Sequence, residues 1–281
     1  MKIAVCIKQV PTRGWQPRLD DSKRWIREQD ASFEMNEPDA YALEESLRLR
    51  EAHGGEVVVC SAGPARVAQV LREALARGAD RAIHVEDARL AAADAFTIAG
   101  VLADAIRDEQ FDLVLTGLQS DDLGSAQTGV VLAERLGLPH ATIIMEIVIE
   151  EIIIEEIVID EDEILIKEIV TNDVKISRGN LRVKRELEGG WFQWVNLKLP
   201  ALLTIQSGIN QLRYATLKGI MAAKRKEIRN VKPSAIPEPL VRIAKLDVPR
   251  KTKHTQMILG SPGEAAKALV KKLKDEARVL S

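Results

Sequence analysis

The chain has 281 residues, enough for one large domain or two small ones, and 46% of them are hydrophobic, which supplies a core and excludes a disordered chain. Forty Lys and Arg against 42 Asp and Glu leave a net charge of -2, so no global bias toward nucleic acid or acidic partners exists. Cys6 and Cys60 sit in apolar runs without metal or redox spacing, and Glu interrupts the longest aliphatic stretch too often for a membrane span.

Met1 leads straight into the apolar run Ile3–Ile7, with nothing resembling a signal peptide, and a reducing, cytoplasmic compartment is expected. Ile3–Ile7, Val57–Cys60, Ala82–Val85, Leu113–Thr116 and Thr142–Met145 read as strands buried on both faces, as in a parallel sheet. Between them, Asp39–His53, Ala65–Arg77, Asp94–Glu109 and Ser125–Leu136 carry helical spacing, and Gly54, Gly78 and Gly137 stand where helices end. This alternation predicts a doubly wound α/β, Rossmann-like domain over residues 1–210. Ligands of such sheets lie beyond the carboxyl ends of the strands, which directs attention to the loops after Ile7, Cys60 and Thr116. Residues 11–35 form a surface excursion, after which Asn36 is placed to cap the next helix.

From Glu146 to Val170 ten residues are acidic and one is basic, so this segment carries -9 and the rest of the chain +7. Its five-residue period gives neither a helix nor a strand one continuous apolar side. The leading reading is an expanded or partly disordered insert, about 146–178, whose glutamates guard against aggregation; its β-branched content favours short strands as the alternative. No chemistry is assigned to it. Leu181–Leu187 and Phe192–Leu197 flank Glu188-Gly189-Gly190-Trp191 as a hairpin, and Ala201–Ile205 is a further strand. Residues 211–281 read as a basic arm ending in a helix, opened by the capping box Ser261 to Glu264 and reaching about Ala277.

Neither GxGxxG after the first strand nor GxxxxGK[ST] occurs, which disfavours a standard dinucleotide fold and a P-loop. The loop Gly117–Gly129 instead follows a buried strand and runs into a helix whose free N–H groups make an anion site. Ser125 and Thr128 add hydroxyls, Gly124 allows close backbone approach, and Asp122 either accepts from a ribose or ties the loop together. The same loop also suits a ligand-free capping turn. Both cysteines read as small buried hydrophobes, the four histidines lack ligand spacing, and Lys224-Arg225-Lys226 reads as a solvated face or protein contact.

Cys6-Ile7-Lys8-Gln9-Val10-Pro11, Asn36-Glu37-Pro38-Asp39, Ser61-Ala62-Gly63-Pro64, Gly78-Ala79-Asp80-Arg81, the loop Gly117–Gly129 and Arg213-Tyr214-Ala215-Thr216-Leu217 stand in one order over about 210 residues. On these stretches the chain resembles the beta subunits of electron transfer flavoproteins. The resemblance implies a heterodimer whose alpha subunit holds most of an electron-carrying FAD, while this chain binds an adenine nucleotide, commonly AMP. It places that nucleotide on Cys6, Asn36, Glu37, Pro38, Asp39, Ala62, Gly117, Asp122, Gly124, Ser125, Ala126, Gln127 and Thr128, with phosphate near Gln127-Thr128.

The resemblance further implies that Arg213–Ala222 docks flavin-dependent dehydrogenases such as acyl-CoA dehydrogenases, through Arg213, Tyr214, Leu217, Ile220 and Met221, with Leu217 as the plug. It makes the chain an electron carrier without acid–base residues of its own, in the mitochondrial matrix if eukaryotic. The acidic insert lies outside the family pattern, and Lys218-Gly219 replaces a common Pro-Asn. Two other readings stand beside this one: an electron-bifurcating subunit that binds a second FAD and oxidises NADH, and an adenine-nucleotide-sensing module.

Overall fold

The computed structural model describes residues 1–150, 155–160, 163–168, 179–248, 255–277 and 279. They divide into two compact units, Met1–Leu246 and Asp247–Ser281.

In the first unit, seven parallel strands form the sheet in the order β7 (His140–Glu150), β12 (Ala201–Ile205), β6 (Leu113–Gly117), β1 (Lys2–Cys6), β4 (Glu56–Gly63), β5 (Arg81–Glu86) and β13 (Ile228–Val231). The antiparallel pair β10 (Asn180–Glu186) and β11 (Phe192–Lys198) extends it beyond β7. α1 (Glu37–His53) and α2 (Ala68–Arg77) cover one face; α3 (Ala95–Ile106) and α4 (Thr128–Leu136) cover the other. β2 (Gln9–Pro11) and β3 (Phe33–Met35) pair at the two ends of the excursion.

The flat apolar runs have a direct cause. In β1, Ile3 and Val5 enter the core under α1 and α2, whereas Ala4 and Cys6 enter the core under α3 and α4, so every position is buried. β4 repeats this with Val57 and Val59 against Val58 and Cys60. Fully burying such a side chain contributes about 1.5–3 kcal/mol, which makes these central strands the most strongly held part of the sheet.

Three local expectations are corrected. Asn36 occupies the cap position of α1 but caps nothing with its side chain, which instead bonds across to residues 119 and 121. α4 starts at Thr128 rather than Ser125, because Gly124 and Ala126 take positive φ of 61° and 54° and hold the preceding residues out of the helix. β13 arises inside the basic arm, where the four residues Ile228–Val231 do not alternate and pairing with β5 supplies the order.

Within the acidic segment, β8 (Glu155–Asp160) and β9 (Glu163–Glu168) pair antiparallel, matching the β-branched alternative there rather than an expanded chain. Residues 151–154, 161–162 and 169–178 lie outside the described residues. In the second unit, α6 (Pro262–Asp275) carries the expected capping box, the Glu264 carboxylate accepting from the Ser261 amide at 2.9 Å and its hydroxyl at 2.7 Å. No helix of the described residues is long and apolar enough to cross a membrane.

Candidate functional site

A cleft open to solvent, with a cavity volume of about 120 Å³, lies at the carboxyl ends of β1, β4 and β6. Its floor and apolar wall come from Cys6, Ala62, Leu90, Ile98 and Leu102; its polar wall comes from Gly117–Ser120 and Ser125–Gly129. A cleft with one apolar and one donor-rich wall fits a small ligand that is flat and greasy at one end and anionic at the other.

The polar wall is built by Asp39, in the first turn of α1. Its carboxylate accepts the Lys8 amide at 2.7 Å and the Gly117 amide at 2.9 Å, joining the ends of β1 and β6 to the start of the helix. Burial pushes the Asp39 carboxyl up to about 7, against the pull of these two amides, the Asn36 side chain and the Lys8 charge. Gly117 is required by this approach: a Cβ there would stand 2.7 Å from both the Asp39 nitrogen and the Pro38 carbonyl carbon.

The β6–α4 loop is held by side chains arriving from elsewhere. Asn36 donates to the Gln119 carbonyl at 3.0 Å and accepts the Asp121 amide at 2.9 Å. Lys8 Nζ reaches Asp122 at 2.6 Å and Ser120 Oγ at 3.2 Å. Asp122 also accepts the Leu123 amide at 2.8 Å, so of its two expected roles it performs the loop tie. Arg13 closes the outer side through Asp121 and Glu37. Beyond these ties, Ala126 sits in the left-handed region and Gln127 returns to right-handed φ and ψ of -107° and -28° without a capping side-chain bond. Such alternation turns successive N–H groups to one side, and they join the uncapped amino end of α4 as a concave donor surface of the kind that can take an anion.

Nine of the predicted ligand residues therefore converge on the cleft: Cys6, Asn36, Asp39, Ala62, Gly117, Ser125, Ala126, Gln127 and Thr128. Glu37, Pro38, Asp122 and Gly124 stand behind it. Glu37 pairs with Arg13, and Pro38 packs α1 toward Gly117. Gly124 serves its positive φ rather than close approach, since a Cβ there would meet only the Ser120 carbonyl oxygen at 4.0 Å. Cys6 and Cys60 are register partners on β1 and β4, and burial raises both thiols, Cys60 to about 12, which leaves them inert.

Sequence reasoning missed the mouth of the cleft. Arg66 stacks 3.9 Å from the Phe33 ring, donates to Gln9 at 2.6 Å and grips Glu28 at 2.8 and 3.2 Å, latching the excursion beside the cleft. Its local setting, a lone arginine after Pro64-Ala65, gave no signal of these long-range contacts.

The second predicted surface, Arg213–Ala222, bridges α1 and α2. Arg213 bonds Glu44 through Nε at 2.8 Å and Nη2 at 3.0 Å, and Glu51 through Nη1 at 2.5 Å and Nη2 at 3.0 Å. α5 (Leu217–Ala223) opens on Thr216, whose hydroxyl caps the Gly219 amide at 3.0 Å. It approaches α2 so closely that a Cβ on Gly219 would clash with the Ala76 carbonyl oxygen. Arg72 locks the far end by donating to the carbonyls of Ala223 at 2.7 Å and Lys226 at 2.6 Å. Between these anchors Tyr214 is 87% exposed and Leu217 77%, with Ile220 and Met221 beside them.

These features define a doubly wound, Rossmann-like α/β protein with a donor-lined cleft at its strand ends. The family model described as the electron transfer flavoprotein domain matches residues 24–172. The chain is 32% identical over 281 residues to electron transfer flavoprotein subunit beta of Methylophilus methylotrophus, covering 96% of this chain and 97% of the relative. It is 32% identical to the human protein of that name over 282 residues, covering 99% of each. Protein FixA of Azorhizobium caulinodans is 34% identical over 233 residues, covering 81% of this chain and 74% of the relative. The chain belongs to the electron transfer flavoprotein beta-subunit family.

Proposed function

We propose that the chain is the beta subunit of a heterodimeric electron transfer flavoprotein, holding an adenine nucleotide in its strand-end cleft. An alpha subunit holds most of the FAD, which when bound accepts electrons from dehydrogenases and passes them on. The observation that carries this reading is the uncapped amino end of α4 behind left-handed Ala126, a donor surface that faces an apolar slot of adenosine type. Cys6, Ala62, Leu90 and Ile98 take the base; Ser125, Gln127 and Thr128 take a phosphate.

Lys8 is engaged with Asp122 and Ser120, and Arg66 with Glu28 and Gln9, so the cations at the cleft are already neutralised or bonded. Backbone donors alone suit one phosphate better than a highly charged polyphosphate, which supports AMP. The protein's own work is then positioning: the cleft braces the amino end of α1 and the β6–α4 loop, and the Leu217 surface brings flavin-dependent dehydrogenases near. The chain performs no acid–base step and works in the cytoplasm, or in the matrix of a mitochondrion.

Co-purification with the alpha subunit, denaturation, and identification of the released nucleotides by chromatography and mass test this. One FAD and one AMP per heterodimer are expected. Two FAD would replace the reading by a bifurcating subunit, and absence of any nucleotide would remove the cleft assignment.

A further inference from the structure

Residues 12–32 leave the sheet at β2 and return at β3, and between those strands they touch both sides of the cleft. On the polar side, Arg13 pairs with Asp121 of the β6–α4 loop at 3.2 Å and with Glu37 at the start of α1. On the other, Arg66 of the β4–α2 turn, itself lining the cleft, grips Glu28 through two nitrogens. The stretch from Arg13 to Glu28 therefore runs from one side of the cleft to the other.

That stretch is ordered by its own bonds. Leu19 and Ile26 form an antiparallel bridge, the Arg27 amide donates to the Arg18 carbonyl at 2.7 Å, and the Asp20 carboxylate accepts the Ser22 hydroxyl at 2.8 Å and the Arg24 amide at 3.3 Å. Trp25 Nε1 donates to Glu28 at 2.9 Å, which joins this small hairpin to the Arg66 clasp. At its tip the Lys23 carbonyl accepts the Leu246 amide at 2.7 Å. Among the described residues no backbone–backbone bond joins it to the β6–α4 loop or to the β4–α2 turn.

A unit that holds its own shape and is fastened to the cleft through side chains can swing without unfolding. The two fastenings are unequal. The Arg13 side chain is 64% exposed, so its pairs lie in water, where they hold weakly and salt screens them. The Arg66 side chain is only 25% exposed; it binds its carboxylate through a planar fork, donates to Gln9 at 2.6 Å and lies on the Phe33 ring. Motion should pivot at Arg66 and part at Arg13, beside the loop that supplies the polar wall.

We propose that residues 12–32 are a strap that gates the cleft: it opens by parting Arg13 from Asp121 and Glu37, turns on the Arg66–Glu28 clasp, and so sets how fast an adenine nucleotide enters and leaves. The proposal rests on the nucleotide reading given above and adds the route of exchange. Loosening a gate raises association and dissociation together and leaves their ratio unchanged, whereas losing a ligand contact raises dissociation alone.

The test uses the purified heterodimer loaded with radiolabelled AMP. Dissociation is followed by chase with excess unlabelled AMP, and association by the approach to equilibrium at several AMP concentrations. Wild-type release should quicken several-fold between about 20 mM and about 0.5 M salt, where the Debye length falls to about 4 Å and the Arg13 pairs are screened. Arg13→Gln should release AMP roughly 5-fold faster at low salt, gain as much in association, keep the wild-type Kd and lose that salt acceleration. Arg13→Lys, which keeps the charge without the fork, should fall between the two. Glu28→Gln should quicken both directions roughly 10-fold while retaining the salt acceleration, because it frees the pivot and leaves Arg13 paired.

Wild-type rates in Arg13→Gln or in Glu28→Gln would overturn the gate. Faster release from Arg13→Gln with unchanged association, and hence a weaker Kd, would overturn it as well by making Arg13 a ligand contact. A wild-type heterodimer that takes up no AMP would remove the nucleotide reading itself, and this proposal with it.

Discussion

Replacing Asp39 by alanine removes the acceptor on which the ends of β1 and β6 converge. The Lys8 and Gly117 amides, bonded at 2.7 and 2.9 Å, would be left without a partner at a largely buried position. Each orphaned donor costs about 1–3 kcal/mol, so the pair costs about 2–6 kcal/mol. The carboxyl itself opposes this. Its folded value near 7 against 3.8 means that the unfolded chain releases the proton first, so the wild type loses stability as pH rises from about 4 to about 7. At 1.36 kcal/mol per pH unit the full loss is about 4 kcal/mol, and it is absent from a variant with no carboxyl. The alanine penalty should therefore be larger at pH 5 than at pH 8, by about 2–3 kcal/mol. Urea denaturation of the ligand-free protein at the two pH values measures this, and hydrogen exchange at the Lys8 and Gly117 amides shows whether those donors are freed. A penalty equal at both pH values, or larger at pH 8, would refute the account of a carboxyl held protonated by burial.

Gly117→Ala should destabilise the chain by about 1–3 kcal/mol through overpacking against the first turn of α1, and should lower nucleotide retention after gel filtration. Ser125→Asp should leave the unfolding midpoint nearly unchanged while abolishing retention, because it sets a negative charge at the donor surface before α4; retained nucleotide would move the anion site elsewhere. Arg213→Gln should cost about 3 kcal/mol by stranding the buried Glu44 carboxylate, and Arg213→Lys should recover only part of it, having lost the planar fork; equal stability of all three forms in urea would remove the clamp.

Much of the sheet was legible because burial on both faces leaves uninterrupted aliphatic runs, as in Ile3–Ile7, and because glycine closes α1, α2 and α4. The donor-lined loop was legible for the same local reason: a buried strand, then small and polar residues, then a helix. What escaped was long-range. β13 is held by β5, not by any preference of Ile228–Val231, and Arg213 finds Glu44 across 169 positions. Asn36 misled because its type and place suit a helix cap, and only the folded loop at Gln119–Asp121 offers its amide better partners. The start of α4 was misjudged because the left-handed turn at Ala126 has no sequence signature in a residue that rarely adopts it.

The two surfaces differ in how far function separates from folding. In the cleft, the donors we propose for the anion are backbone N–H groups, so changes at Ser125 or Gln127 should alter binding without removing a structural bond. Around Leu217 the exposed side chains other than Thr216 make no hydrogen bond or ion pair among the described residues, and the segment is carried instead by Arg213, Arg72, Lys226 and the close approach at Gly219. α1 serves both places: Asn36 and Asp39 at its amino end shape the cleft, and Glu44 and Glu51 further along hold Arg213. Its 17 residues span about 25 Å, so one rigid element fixes two surfaces whose working groups lie outside it. Substitutions in α1 at Glu44 should thus depress stability, and at Asp39 both stability and the cleft wall it builds, whereas Ser125 and Leu217 should report on binding and docking separately. That separation makes the cleft and the docking surface independently testable in one chain.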